Sequence, residues 1–263
     1  MKPYWYDFFR DGSAWYRHPE WFIGAGVAPF VNSENSILVT GFWRSGTTWL
    51  QQVLARVFEA KSVFEPLHPS LGSYREAVRK ELKLPTYDDT YLNLYMPHRS
   101  PDALRKSPKL KAHIKGGLTG AFPGLHVHNA RYGRRRAEHS GPQSRLQRIG
   151  DRARDACKMR IVLKLVRGHL LLPAIYDQFG VTLIHIRRDP RSVCASMKRE
   201  NWWDYWAGTL SLEQQLIAPD DGRASYFQGF YDDIRQLDTE DTATRWAAYW
   251  CLVEKYLSEQ ACV

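Results

Sequence analysis

The segment Gly41-Phe-Trp-Arg-Ser-Gly-Thr-Thr48 directly follows the apolar run Ile37-Leu-Val-Thr40 and is the strongest indication of the fold. An apolar run, a glycine-flanked loop and the start of a helix are typical of a phosphate-binding unit. The spacing is that of a Walker A loop, but Thr47 stands where that pattern has lysine. Because the lysine reaches the β- and γ-phosphates, we expect this loop to hold a nucleotide's 5′-phosphate while a group other than phosphoryl is transferred.

A second phosphate-binding segment is predicted far downstream. The apolar run Val181-Thr-Leu-Ile-His-Ile186 predicts a buried strand, and it leads into Arg188-Asp-Pro-Arg-Ser-Val-Cys-Ala-Ser196. Pro190 is favoured in the first turn of a helix, so we expect a helix to begin there. Arg188 then lies at the carboxyl end of the strand and Ser196 almost two turns into the helix, where both can close on one phosphate.

Together these segments resemble those of the sulfotransferases that use 3′-phosphoadenosine 5′-phosphosulfate (PAPS) as donor. In that family a [K/R]-S-G-T-T-W loop binds the 5′-phosphosulfate, and an R-[N/D]-P-x(5)-S segment binds the 3′-phosphate. The resemblance implies that Trp49 lies near the adenine and that PAPS is the co-substrate. The donor-binding residues that it implies are Arg44, Ser45, Gly46, Thr47, Thr48, Trp49, Arg188 and Ser196.

The resemblance also implies a position for the general base. The stretch Ile161-Val-Leu-Lys-Leu-Val-Arg167 looks like the K-x-V-R segment of carbohydrate sulfotransferases, not like the Lys-Thr-His segment of the phenol and steroid enzymes. Carbohydrate sulfotransferases use a glutamate shortly after the first helix, and Glu65-Pro-Leu-His68 resembles their E-P-x-x-H stretch. Glu65 is therefore the candidate base. Arg44 is the second candidate catalytic residue, since it is expected to stabilise the charge that develops on the departing phosphate oxygen.

Other interpretations of these residues stay open at the level of sequence. Glu65 is also compatible with a surface glutamate before a proline turn. His113 and His169 are rival bases, because histidine is the commonest acid–base residue. Lys164 and Arg167 either contact the donor or acceptor or solvate the end of a strand.

The apolar runs predict an α/β fold with a P-loop-like central parallel sheet flanked by helices. Residues 160–166 and 181–186 are almost continuously apolar, which is typical of parallel strands covered on both faces. Helices are predicted at 47–60, 73–82, 170–179 and 242–260. We expect a single domain over residues 1–263. Family members usually continue beyond the last helix with a Tyr-Glu-Asp strand, so the resemblance implies either a compact fold or a truncated C-terminus.

Two further segments have an unusual composition. Residues 1–35 are rich in aromatic side chains, which either cover the domain or line an acceptor cleft. Residues 126–160 form a basic insertion, which is a solvated face, covers the donor or recruits an acidic acceptor. Residues 201–206 contain three tryptophans and either wall the acceptor pocket or form a packed turn.

Composition narrows the class of protein. The net charge of +9 and the pI near 9.4 favour an anionic partner, and a donor carrying phosphate and sulfate satisfies that requirement. The four cysteines have no metal-ligand spacing, so we predict no metal and a reducing, cytoplasmic location. No apolar run approaches the roughly 18 residues that a membrane span needs. No aromatic-bearing motif accompanies the arginines, which argues against nucleic acid as a partner.

These observations favour a PAPS-dependent sulfotransferase acting on a hydroxyl of a carbohydrate or a small natural product. Two alternatives belong to other classes. A P-loop kinase that uses ATP is disfavoured by the missing lysine and by the Arg188 and Ser196 pair. A non-catalytic polyanion-binding protein would use the basic insertion at 126–160.

Overall fold

The computed structural model describes residues 19–121, 153–200 and 207–260. The predicted basic insertion at 126–160 lies mainly outside these ranges, as do most of the aromatic segment at 1–35 and the tryptophan-rich residues 201–206. The strands are β1 (Ile37–Thr40), β2 (Lys61–Phe64), β3 (Ile161–Leu165) and β4 (Thr182–His185).

Helices surround these strands in the described part of the chain. In chain order they are α1 (Pro19–Val27), α2 (Thr47–Val57), α3 (Gly72–Glu81), α4 (Asp89–Leu94), α5 (Pro101–Arg105), α6 (Pro108–Leu118), α7 (Leu172–Phe179), α8 (Pro190–Arg199), α9 (Leu212–Leu216), α10 (Ala224–Phe227), α11 (Tyr231–Leu237) and α12 (Thr242–Ser258). Short 3₁₀ turns occur at Ala28–Phe30, Ser33–Asn35, His169–Leu171, Ala207–Thr209 and Gln228–Phe230.

The four strands form one parallel sheet in the order β2-β3-β1-β4. In this register Phe64 lies opposite Lys164, and Thr40 lies opposite both Leu165 and His185. The carboxyl ends of all four strands therefore meet at one edge of the sheet. Ligands of open α/β sheets bind at this edge.

Apolar side chains cover both faces of the central strands. Leu38 and Leu163 belong to the larger core on one face, whereas Val39 and Val162 pack on the other face against Leu50 and other residues of α2. Burial of both faces explains the almost continuous apolar pattern of β1 and β3. The predicted α/β fold with a central parallel sheet flanked by helices is confirmed.

The detailed expectations differ from the structure at two strands. The sequence predicts β4 as a core strand, but it pairs only with β1 in the described sheet, with Thr182 exposed and the other three residues partly buried. An apolar run alone does not distinguish an edge strand from a central one, because both have apolar residues. β2 was not predicted, since Lys61 and Ser62 interrupt the apolar pattern that would indicate a strand.

Close approach of two backbones explains the first glycine of the loop. A Cβ atom on Gly41 would lie 2.5 Å from the carbonyl oxygen of Ile186 and 2.9 Å from Cγ2 of Thr47. The end of β1 thus passes directly against the residue that follows β4. Glycine is needed at this point because any side chain would push the two strand ends apart.

Candidate active site

The loop between β1 and α2 has the backbone of an anion-binding turn. Gly46 has a φ of 94° and caps α2, and the first intrahelical bond runs from the N–H of Leu50 to the carbonyl of Gly46. The N–H groups of the first helical turn therefore have no partner within the helix, and they attract anions. Arg44 has a φ of 66°, a left-handed conformation that costs a non-glycine residue about 1–3 kcal/mol. Such strain is concentrated at functional sites.

Two hydroxyl groups at this loop are buried without a hydrogen-bond partner. They are Oγ of Ser45, within the loop, and Oγ1 of Thr40, at the end of β1. Buried hydroxyls are normally hydrogen-bonded, so each orphan group needs an explanation. A bound phosphate oxygen would supply the missing acceptor for Ser45.

The two predicted phosphate segments are in direct contact, although 144 residues separate Arg44 from Arg188. Nη1 of Arg188 donates to the carbonyl of Arg44 at 2.8 Å, and Nε of Arg44 donates to Oγ of Ser196 at 3.1 Å. Ser196 is 2% exposed on α8. The helix begins at Pro190 as predicted, and Asp189 caps it by accepting from the N–H groups of Arg191 and Ser192.

The remaining candidate donor residues occupy the first turn of α2. Thr47 is buried, Thr48 is half-buried, and Trp49 is 68% exposed. An indole this exposed presents a free aromatic face, as stacking on a planar base requires. The structure therefore places the whole predicted donor set on the loop, on the first turn of α2 and on the segment from Arg188 to Ser196.

Glu65 is a buried member of an ionic cluster, not a surface residue. It follows β2, has a φ of 48° and is 2% exposed. Its carboxylate lies 3.0 Å from Nζ of Lys164 and 3.5 Å from Nη1 of Arg167, and it accepts from the N–H of Val166 at 3.1 Å. The interpretation of Glu65 as a solvated glutamate before a proline is therefore wrong.

Lys164 and Arg167 do not solvate the end of β3, because both are buried. Burial lowers the pKa of Lys164, and the charge of Glu65 offsets this only in part. The guanidinium of Arg167 also lies 5.6 Å from the ring centre of Trp43, which belongs to the phosphate loop. The glutamate cluster and the loop are thus neighbours at the carboxyl edge of the sheet.

His68 belongs to the same stretch as Glu65 and lies near the two cations of its cluster. Nδ1 of His68 accepts from the N–H of Ser70, while burial and the charges of Arg167 and Lys164 lower the pKa of His68 to about 3. His68 is therefore neutral at pH 7, with its proton on Nε2 as a hydrogen-bond donor. From the sequence alone, His68 is only the last residue of the E-P-x-x-H stretch.

The two rival bases are both fully buried. Nε2 of His113 donates to the carbonyl of Pro66 at 2.6 Å, so this residue supports the turn that carries Glu65. His169 follows β3 and faces His185 and Glu254, behind the phosphate loop. Within the described ranges, His113 has no contact with the phosphate loop, whereas the ring of His169 packs edge-on against Phe42 of that loop without reaching the anion-binding residues.

One further contact of the site was missed by sequence analysis. Nη2 of Arg44 forms an ion pair with Glu200 at 3.1 Å. Glu200 is four residues after Ser196, and residues at this spacing lie on the same face of a helix. The spacing alone therefore indicates that Glu200 is close to the phosphate site. The carboxylate of Glu200 balances the charge of Arg44.

Among the comparisons with known proteins, a family model matches this chain and agrees with the geometry of the site. No curated protein and no solved structure matches the chain. None of the helices in the described ranges has the length and apolar character needed to cross a membrane. A family model described as "Sulfotransferase family" matches residues 36–239, a span that runs from the start of β1 to beyond α11 and includes both phosphate segments and Glu65. The chain therefore belongs to the sulfotransferase family.

Proposed function

We propose that this chain transfers a sulfuryl group from PAPS to a hydroxyl of a carbohydrate or small natural-product acceptor. The observation that carries the proposal is the contact of Arg188 and Ser196 with Arg44. This contact brings a loop that is suited to a 5′-phosphate next to two side chains that are suited to a second phosphate. A donor with phosphates at both its 3′ and 5′ positions matches two such subsites in one cleft.

The loop residues bind and polarise the donor in this proposal. The free N–H groups at the start of α2 and the hydroxyl of Ser45 hold the 5′-phosphosulfate, while Arg188 and Ser196 hold the 3′-phosphate. Trp49 offers its exposed face to the adenine. Arg44 exchanges Glu200 for the donor and stabilises the charge that forms on the departing phosphate oxygen.

Glu65 takes the acceptor proton. The acceptor oxygen forms a bond to sulfur, the bond from sulfur to the phosphate oxygen breaks, and the hydroxyl proton passes to the carboxylate of Glu65. The products are a sulfate ester and 3′-phosphoadenosine 5′-phosphate. A carboxylate cannot fully deprotonate an alcohol beforehand, so proton transfer accompanies formation of the O–S bond.

The cations around Glu65 orient its carboxylate for this role. Lys164 contacts Oε1 and Arg167 approaches Oε2 at a longer 3.5 Å, while the N–H of Val166 donates to both oxygens. These contacts also balance the charge of a carboxylate that is nearly inaccessible to solvent. His68, as a neutral donor nearby, is suited to hydrogen-bond an acceptor oxygen.

Calorimetric titration of the chain with adenosine 3′,5′-bisphosphate, ATP and 5′-AMP tests the donor assignment. We expect selective binding of the bisphosphate. Arg188→Ala should weaken bisphosphate binding by about 1.5–3 kcal/mol, the range for a charged hydrogen bond, and should leave 5′-AMP binding nearly unchanged.

Arg191→Ala is the matched control for this variant. Arg191 lies on the same segment, but its side chain is 91% exposed and pairs with Asp189. Its removal should not change bisphosphate binding. Equal losses for the bisphosphate and 5′-AMP in Arg188→Ala would contradict the 3′-phosphate assignment, and a preference for ATP would favour the kinase alternative.

A further inference from the structure

A second group of ligand-type side chains lies behind the phosphate loop. It consists of His169, after β3, His185, at the end of β4, and Glu254, on α12. One ligand atom from each of the three lies within 4.8 Å of the other two. The group is separate from Glu65 and from the residues proposed to bind the donor.

The hydrogen bonds within this group are incomplete. Nε2 of His185 and Oε2 of Glu254 are 2.8 Å apart, but Nε2 of His169 is 3.7 Å from Oε1 of Glu254, too far for a hydrogen bond. No partner of either ring nitrogen of His169, or of Oε1 of Glu254, has good hydrogen-bond geometry, although Glu254 and the backbone of Val166 lie close enough to His169 to influence its charge. His169 is fully buried and Glu254 is 2% exposed. Buried polar atoms without a well-placed partner need an explanation, and a bound ion is one of the usual ones.

We propose that His169, His185 and Glu254 bind a divalent transition metal, for which Zn²⁺ is the best match. Two imidazoles and one carboxylate are an established ligand set for zinc. Bonds of about 2.0–2.2 Å in tetrahedral geometry place ligand atoms about 3.3–3.6 Å apart. His185 lies 2.8 Å from Oε2 of Glu254 and His169 lies 3.7 Å from Oε1, so each imidazole faces its own carboxylate oxygen, and side-chain rotations would bring both rings around one ion.

Arg187 lies beside Glu254 in the position that the ion would take, and its exposed side chain marks a route by which the ion can enter. Its Nε lies 3.2 Å from Oε2 of Glu254, yet its side chain is 59% exposed. An exposed arginine can turn into solvent when an ion takes its place beside the carboxylate. The opening that it leaves is suited to a water molecule as the fourth ligand.

The position of the site indicates a structural role for the metal. The ring of His169 lies 6.1 Å from that of Phe42, in the phosphate loop, and His185 precedes Arg188 by three residues. A bound ion would tie the ends of β3 and β4 to α12. Metal binding should therefore stabilise the strand end from which Arg188 reaches the loop.

Cobalt titration of the untagged, chelator-treated full chain tests the proposal. We expect one Co²⁺ per chain, with the visible absorption of a four-coordinate ion, displacement by Zn²⁺, and a higher Tm in the presence of Zn²⁺. His185→Gln and Glu254→Gln should each weaken binding at least about a hundred-fold, because loss of a direct ligand exceeds the 10–100-fold cost of losing an outer-shell partner.

His98→Gln is the matched control, since His98 is also buried beside a carboxylate, Asp221, but lies outside the cluster. It should bind Co²⁺ like the unmodified chain. Thiolate-to-cobalt absorption would assign the metal to Cys251, on the same helix as Glu254, and would overturn the proposal. Substoichiometric binding, or binding unaffected by both substitutions, would overturn it as well. If a variant fails to fold, the unmodified chain still tests the proposal. One Co²⁺ per chain and a higher Tm with Zn²⁺ support it, and the lack of both contradicts it.

Discussion

Two buried carboxylates, Glu65 and Asp221, both pair with a buried arginine, but their surroundings differ. Asp221 contacts Arg223 at 2.6 and 2.9 Å and accepts from the hydroxyl of Tyr95 at 2.7 Å. The remaining donors of Arg223 reach the carbonyls of Gln215 and Met96 at 2.5 Å. Burial opposes ionisation of Asp221, but Arg223 outweighs it and holds the pKa of Asp221 below its usual value.

Glu65 has a longer contact with its arginine than Asp221 has, and its backbone is strained. Its contact with Arg167 is 3.5 Å long, and burial lowers the pKa of both of its cationic partners, Arg167 and Lys164. Its backbone is left-handed, which no residue of the Asp221 pair requires. The Asp221 pair is thus saturated with short bonds, as expected of a structural element. The Glu65 cluster retains weak contacts that a substrate can replace, as expected of a reactive one.

The largest expected effect is on stability, in Asp221→Ala. The change leaves Arg223 buried without its counter-ion, so we expect the free energy of unfolding to fall by about 3–5 kcal/mol. Chemical denaturation measures this loss. Asp220→Ala is the control, because Asp220 is 74% exposed and its pair with Lys83 should contribute at most about 1 kcal/mol. Similar losses of stability in Asp221→Ala and Asp220→Ala would show that the buried Asp221 pair contributes no more than an exposed ion pair.

Glu65→Gln should reduce turnover at least about a hundred-fold, the lower end for loss of a general base. Its stability should fall less than that of Asp221→Ala, because Lys164 can release its proton and the glutamine oxygen can still accept from Val166. Steady-state rates and denaturation together separate the two effects. Glu59→Gln is the control, since Glu59 is also left-handed but exposed. Unchanged turnover in Glu65→Gln would mean that another residue is the base.

The smallest effect is a loss of stability in acid at the histidine that supports Glu65. Burial lowers the pKa of His113 from 6.5 to about 4. Between these values the unfolded chain binds a proton that the folded chain does not, so stability is lost as the pH falls. Near pH 5 this amounts to about 2 kcal/mol.

Denaturation at pH 7 and pH 5 should show this loss, and it should be smaller in His113→Gln. The pKa of His98, beside Asp221, is also lowered by burial, so His98→Gln provides the comparison for the other cluster. An identical pH dependence in the unmodified chain and in His113→Gln would show that this residue does not control acid stability.

Much of the donor region could be predicted because it depends on local geometry. The loop from Gly41 to Thr48 follows from glycine spacing after a strand, and the start of α8 follows from Pro190. The predicted helix at 242–260 corresponds to α12, which ends at Ser258. The edge position of β4 could not be predicted, because it depends on which strands pair and not on the composition of one run.

Short spacings along the chain were enough to identify the fold class, the phosphate loop and the family. Which distant charges meet depends on the tertiary structure. Sheet order and register place Phe64 opposite Lys164, and so bring Glu65 to its two cations. The same packing brings His169, His185 and Glu254 together, although no motif links them. Spacing within one element follows from backbone geometry, whereas contacts between elements depend on how the whole sheet is assembled.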